Sequence, residues 1–363
     1  MYTNDKRIVM TLDAGGTNFV FSAIRGGKEI VKPIVLPACA NNLGKCLGNL
    51  VEGFKMVEEN LPEPPVAISF AFPGPADYKA GIIGDLPNFP SFRDGVPLGP
   101  FLEDIFNVPV FINNDGDLFA YGEAHAGVLP ELNNRLQEAG SLKRYNNLIG
   151  VTLGTGFGAG IVINNELLLG DNAAGGDVWC MRNKKYPDFI VEESVSIRAV
   201  KRIYSQLSDS KTEYEPHEIY EIAEGLRPGN RNAAMEAFSE LGEMAGDVLS
   251  YAVTLIDGLI VIGGGLSGAS KYIMPSLIKE MNSSTGMMDG RRFPRLQMKA
   301  YFLDDDEDFF RFARGEAYEI SVPGTGRRVK YDPCKRIGVL LSKKGASHSI
   351  ALGAYLFALN HLK

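Results

Sequence analysis

The sequence predicts an α/β protein built as two similar halves with a ligand cleft between them, and three observations carry that reading. An apolar run from Ile8 ends in Asp13-Ala14-Gly15-Gly16-Thr17-Asn18, and a second apolar run, Phe19 to Ile24, follows at once and stops at Gly26-Gly27. The same pattern of strand, glycine turn and strand returns from Leu148 to Asn164, around Gly154-Thr155-Gly156-Phe157-Gly158-Ala159-Gly160. After the first start the elements read βββαβαβα, which describes a mixed sheet with helices against it. A duplicated start of this kind leaves a cleft between halves where a ligand is sandwiched.

Each element has its own signal. Phe19 to Ile24 has strand length and is too short for an average helix. Glu29 to Leu36 reads as a third strand. From Asn42 to Glu59, Leu43, Leu47, Leu50, Phe54 and Val57 fall on one helical face. The break Leu61-Pro62-Glu63-Pro64-Pro65 ends that helix, and Val66 to Phe72 is a buried strand closed by Pro73-Gly74-Pro75. An irregular loop runs through Leu86-Pro87-Asn88-Phe89. A short helix, Leu98 to Phe106, leads to the strand Val108 to Ile112, then Asn113-Asn114-Asp115 and a helix from Leu118 to Ala126. In the second half, strands at Leu148 to Leu153 and Ile161 to Asn164 precede helices at Glu193 to Leu207, His217 to Glu224 and Asn232 to Ile256. The buried strand Leu259 to Ile262 then runs into Gly263-Gly264-Gly265 and another helix.

Domain limits follow: an N-terminal α/β domain over 1–117, and a C-terminal α/β domain over 118–345. Additions are expected near 129–147, which is polar, and 304–336, which holds an acidic run and a hairpin from Ala317 to Tyr331. Residues 346–363 form an amphipathic helix expected to pack back on the first domain.

Composition sets the class. A chain of 363 residues is long enough for roughly two domains. Hydrophobic and charged contents of 45% and 22% are ordinary for a globular protein. The net charge of −7 argues against nucleic acid as a partner. No apolar run approaches the ~20 residues that span a bilayer, and no apolar leader precedes the first strand, so no membrane association is expected. Four cysteines without a C-x-x-C pair fit a reducing compartment, and a cytoplasmic location is expected.

The turn at Asp13 to Thr17 gathers backbone amides and a hydroxyl into a concavity suited to anions. Asp13 would repel a bare phosphate, but suits phosphates that arrive with a divalent cation. ATP with Mg2+ is therefore the natural occupant, although an ordinary hairpin turn also uses Gly-Gly. Gly263-x-Gly265-x-x-Gly268 formally matches a dinucleotide fingerprint, yet a nicotinamide dehydrogenase would leave the first two turns unexplained. No Walker loop occurs. Three glycine turns, each after a strand, suit one nucleotide: two clamp phosphates and the third lies beside adenosine. Asp115, at the end of a buried strand, can accept a proton from a sugar hydroxyl attacking a γ-phosphate. Asn114 offers a donor and an acceptor for hydroxyls. Asn113-Asn114-Asp115 can equally cap the next helix, and the two roles are compatible.

With these segments in order along the chain, the sequence resembles the ROK family of sugar kinases and regulators, within the superfamily sharing the actin and hexokinase nucleotide-binding fold. Matching segments are Asp13 to Asn18, Ser69 to Pro75, Leu86-Pro87-Asn88, Asn114-Asp115, Leu153 to Ile161, Val261 to Gly265 and Leu352-Gly353-Ala354. The resemblance implies two ribonuclease H-like domains of the actin and hexokinase type. It makes Asp115 the catalytic base, with Gly74, Asn88 and Asn114 holding sugar hydroxyls. Gly15, Gly16, Thr17, Gly154, Thr155, Gly156, Gly264 and Gly265 would hold ATP, and Asp13 would face its Mg2+.

Departures from the family pattern are informative. Where the family has Glu-x-Gly-His, this chain has Asp177-Val178-Trp179-Cys180. Asp177 still accepts hydroxyl bonds from a retracted position, whereas Cys180 is a poor substitute for imidazole. The family's cysteine-rich zinc loop is missing, so no structural zinc is expected. Glu192, aligned through Ser196, matches the family Glu that supports the sugar, with Glu193 one residue away as the alternative. The expectation is an ATP-dependent kinase of a hexose or N-acetylhexosamine, acting at the primary hydroxyl, with recognition near C1 and C2 altered. A non-catalytic, sugar-sensing relative is the alternative. Related proteins are commonly dimers, which implies a homo-oligomer.

Overall fold

The computed structural model describes residues 2–362. The chain divides into two units: Met1–Gly127 with Asn165–Gly176 and Lys344–Lys363, and Val128–Asn164 with Asp177–Lys343.

In the first unit, Val9–Ala14 pairs antiparallel with Asn18–Arg25 and parallel with Ala67–Ala71, which pairs parallel with Val110–Asn113. The expected third strand is two pieces, Lys28–Glu29 and Ile34–Pro37, each antiparallel to Asn18–Arg25. Pro33 lies between them and has no N–H to give a ladder. Helix Leu43–Glu58 covers one face. Asn42 caps it by accepting the Lys45 N–H at 3.0 Å, and Cys46, Leu50, Phe54 and Val57 are buried. Beneath it the core is aromatic: Phe21 meets Phe54 edge to face at 5.1 Å, and Phe72 meets Phe89 at the same distance.

The C-terminal helix Ala346–His361 belongs to this unit, but it is not amphipathic. Every residue from Leu352 to Leu359 is buried, as in a helix enclosed on all sides. Its neighbour is the helix Asp115–Ala126, equally buried from Gly116 to Ala124. Ser349 donates to Glu123 at 2.6 Å between them.

In the second unit, Leu148–Leu153 pairs antiparallel with Phe157–Ile163 and parallel with Leu259–Gly263. Parallel pairing continues to Arg336–Leu341 and Lys299–Phe302. Helices Ile197–Ser208, Pro216–Glu224, Arg231–Ile256 and Ser270–Met281 enclose a core that includes Val151, Phe157, Val200, Phe238, Leu241 and Leu277. Residues 129–147 are not polar throughout. Val128–Glu138 is a helix whose Val128, Leu129, Leu132 and Leu136 are buried at helical spacing. The acidic run likewise starts a helix, Asp306–Arg314, capped by Asp305, which accepts the Asp308 N–H. The hairpin forms from Tyr318–Ser321 and Arg328–Tyr331. Among the described residues no helix is long and apolar enough to cross a membrane.

Candidate functional site

The three parallel strands of the first unit end together, because Asp13 is in register with Ala71 and Ala71 with Asn113. Their carboxyl ends therefore bring Asp13, the turn after Phe72, and Asn114-Asp115 to one sheet edge, where open α/β sheets bind ligands. A cavity of about 670 Å³ opens there, and Asp13, Gly16, Gly74, Asn88, Asn114 and Asp115 all line it. Six of the expected site residues thus meet in one place. Gly15 and Thr17 complete the exposed turn beside it. A side chain at Gly15 would press its Cβ to 2.9 Å from the Asn18 carbonyl, whereas Gly16 faces open space.

Asn114 and Asp115 are placed by the helix they begin. The Asn114 and Asp115 Oδ1 atoms both accept the Gly116 N–H at 2.8 Å. Asn114 is the cap of this helix, so capping and a solvent-facing Asp115 coexist. Water can touch the Asp115 carboxylate, yet protein crowds most of its surroundings. That loss of solvation raises its pKa above the ordinary Asp value, and repulsion from Asp13 adds to the rise, while the Gly116 N–H opposes it.

Tyr78 is a support that the sequence did not reveal. Its hydroxyl donates to the Phe72 carbonyl at 3.0 Å and receives the Asn114 Nδ2 at 3.5 Å. A Cβ on Gly74 would lie 2.9 Å from that hydroxyl, so a side chain there would have to displace Tyr78. Asn88 is exposed at the cavity, held by its neighbour Phe89, which stacks on Phe19 at 6.1 Å.

In the second unit, parallel strands Leu148–Leu153 and Leu259–Gly263 deliver two glycine turns to one edge. Gly264 has a φ of +87°, and a Cβ there would lie 2.3 Å from the Leu153 carbonyl. Only glycine combines that backbone with that contact. Gly265 faces open space. The turn at Gly154-Thr155-Gly156 is fixed by a second residue set. Glu192 Oε2 accepts the Phe157 N–H at 2.9 Å, and Glu192 Oε1 accepts from Arg198 at 2.8 Å. Arg198 also donates to the Thr155 carbonyl at 3.4 Å and to Glu193 at 3.0 Å. These carboxylates raise the Arg198 pKa. Glu192 and Glu193 are thereby distinguished: the former touches the glycine turn, the latter only Arg198 among the side-chain contacts seen. Glu192→Ala would leave the Phe157 N–H without its acceptor. The expected cost is about 1–3 kcal/mol, read as a lowered Tm, and an unchanged Tm would remove Glu192 as the turn's anchor.

Asp177 is exposed and does not stand free. Its Oδ1 accepts the Trp179 Nε1–H at 3.1 Å, and Cys180 Sγ donates to its carbonyl at 3.0 Å. Trp179 is 40% exposed, so it is neither a core residue nor fully enclosed. Among the described residues no three His, Cys, Asp or Glu side chains gather to hold a metal, and Cys39, Cys46, Cys180 and Cys334 are free thiols.

The family model for ROK matches residues 9–292 of this chain. The chain belongs to the ROK family. Over the whole of both chains it is 74% identical to the crystal structure of a glucokinase from Parabacteroides distasonis, with a TM-score of 0.94. It is 26% identical to a glucokinase of Thermotoga maritima over 300 residues, covering 74% of this chain and 88% of that one. A ROK family glucokinase from Streptomyces griseus, solved with glucose and AMPPNP, is 19% identical over 96% of this chain and 98% of its own, with a TM-score of 0.60. That likeness is one of fold. The α/β architecture of this ROK chain is accordingly that of the actin and hexokinase type.

Proposed function

We propose that this ROK sugar kinase transfers the γ-phosphoryl group of ATP to the primary hydroxyl of a hexose, with Asp115 as the general base. The observation that carries this is the single cavity holding Asp115 beside Asp13, Gly74, Asn88 and Asn114 at the carboxyl edge of the parallel strands. Identity of 74% to the Parabacteroides distasonis glucokinase makes glucose the leading substrate. In this reading the Asp115 carboxylate takes the proton of the attacking hydroxyl. Asn88, Asn114 and the Gly74 backbone orient the remaining hydroxyls. The amides of Gly15, Gly16 and Thr17 and those at Gly154-Thr155-Gly156 take phosphate oxygens, and Gly264-Gly265 take the nucleoside end. Asp13 is an exposed carboxylate at the first turn, which fits a residue that would face Mg2+. The cation would neutralise charge developing on the transferred phosphate. Glu192 uses one lone pair of each oxygen, leaving acceptor capacity for a sugar hydroxyl.

Cys180 turns onto the Asp177 carbonyl, and Asp177 shares its carboxylate with Trp179. Both features support weak recognition near C1 and C2. A coupled ADP-release assay over glucose, 2-deoxyglucose, mannose, N-acetylglucosamine and fructose tests the whole reading. Sugar-dependent ADP release is expected, with a 2-deoxy penalty below ~1–3 kcal/mol in kcat/KM. Sugar binding without ADP release from any of these would mark a non-catalytic sensor and overturn the proposal.

The raised pKa of Asp115 gives a pH signature. The base is competent only when ionised, so kcat/KM falls as pH drops through its pKa. The acid limb should therefore have its midpoint above 3.8, the ordinary Asp value. A limb centred at or below that value would separate Asp115 from the proton transfer.

A further inference from the structure

The second unit carries a further cavity, of about 700 Å³, that shares no residue with the site above. Its place in the fold is defined by the strands. Asn147 precedes Leu148–Leu153, Asp257 precedes Leu259–Gly263, Met298 precedes Lys299–Phe302, and Lys335 precedes Arg336–Leu341. These four strands are parallel. The cavity thus lies at their amino ends, opposite the edge that bears Gly154 and Gly264. At ~3.3 Å per residue, strands of this length separate the two edges by ~15–20 Å.

Its charge is opposite to that of the chain. Lys143, Arg144, Arg295, Lys335 and Arg336 line it against the one carboxylate of Asp257, in a protein of net charge −7. Two of these cations are already neutralised, Arg295 by Asp247 and Glu280 and Arg336 by Asp332. Lys143, Arg144 and Lys335 form no ion pair with any described carboxylate, and Arg144 donates only to the backbone carbonyls of Ser141 and Lys143. Like charges gathered around a recess raise the local positive potential and draw an anion to it. The volume suits a small molecule and is far larger than one ion needs.

We propose that this cavity is a second ligand site, which binds a small phosphorylated metabolite through Lys143, Arg144 and Lys335. Lysines and arginines at such a recess supply the charge-assisted hydrogen bonds that phosphate oxygens take. Isothermal titration calorimetry on the full chain, at constant ionic strength, tests it with three probes: inorganic phosphate, pyrophosphate and glucose 6-phosphate. The Lys143→Ala/Arg144→Ala/Lys335→Ala variant removes the charges and leaves the other cavity intact, so binding in that cavity would persist in it. Pyrophosphate or glucose 6-phosphate should bind more tightly than inorganic phosphate. The triple variant should lose about tenfold or more, given the weight of charge-assisted bonds, and keep the parent's circular dichroism and Tm. Equal binding by parent and triple variant would overturn the proposal, because it would place the ligand elsewhere. Absence of binding by all three probes to the parent would overturn it as well.

Discussion

Asp115→Asn should lower kcat by at least ~10²-fold, the usual contribution of a positioned general base, while sugar affinity stays close to that of the parent. The substitution keeps size and shape, and an amide oxygen can still accept the Gly116 N–H that Asp115 accepts at 2.8 Å. The cap supplied by Asn114 is untouched. The basic lone pair is lost together with the charge, so folding and binding are read separately from turnover. Burial that raises the Asp115 pKa also disfavours its charge, so the amide should leave Tm unchanged or raise it. Measurement of kcat by ADP release, sugar Kd by calorimetry and Tm on one preparation separates these terms. Near-normal turnover would remove Asp115 from the mechanism. A large fall in sugar affinity would instead make it a binding residue.

What the sequence revealed and what it hid have physical causes. Strands such as Val9–Ala14 and Leu259–Gly263 are short apolar runs closed by glycine, so length and punctuation identify them. The ends of those strands were legible for the same reason, and parallel register then gathers Asp13, Asn114 and Asp115 without further information. Helix Val128–Glu138 was hidden because its four buried apolar residues sit among Asn, Arg, Gln and Glu. Its composition looks polar although its spacing is helical. The C-terminal helix misled in the opposite direction. It was expected to be amphipathic, but its small residues allow close packing on all sides instead. Tyr78 and Arg198 were invisible, since each acts through a partner distant in sequence: Asn114 lies 36 residues from Tyr78, and Thr155 lies 43 from Arg198. No local pattern encodes such a contact.

The close packing of the last helix leads to the second large effect, expected at Gly353→Ala. A Cβ at Gly353 would stand 1.9 Å from the Leu118 carbonyl oxygen, and one at Gly122 would stand 2.0 Å from that of Ser349. Both obstacles are backbone atoms, which cannot rotate aside as a side chain does. The helices Asp115–Ala126 and Ala346–His361 must therefore separate to admit a single methyl group. Separation would also strain the 2.6 Å hydrogen bond from Ser349 to the buried Glu123. Overpacking of a tight core costs about 1–3 kcal/mol, and a contact this short at a helix crossing belongs at the upper end. At roughly 2–4 °C per kcal/mol for a large domain, Tm should fall by several degrees. Function should fall as well. Leu118 donates its N–H to the Asn114 carbonyl at 3.1 Å, so the displaced turn is the one that holds Asn114 and Asp115. A shift of ~1 Å at a reacting group can cost ~10²-fold in rate. Gly353→Ala should thus lower kcat well below the Tm of the variant, at a temperature where the protein is fully folded. A variant with both Tm and kcat unchanged would mean that the two helices tolerate separation, and that the C-terminal helix has no part in placing Asp115.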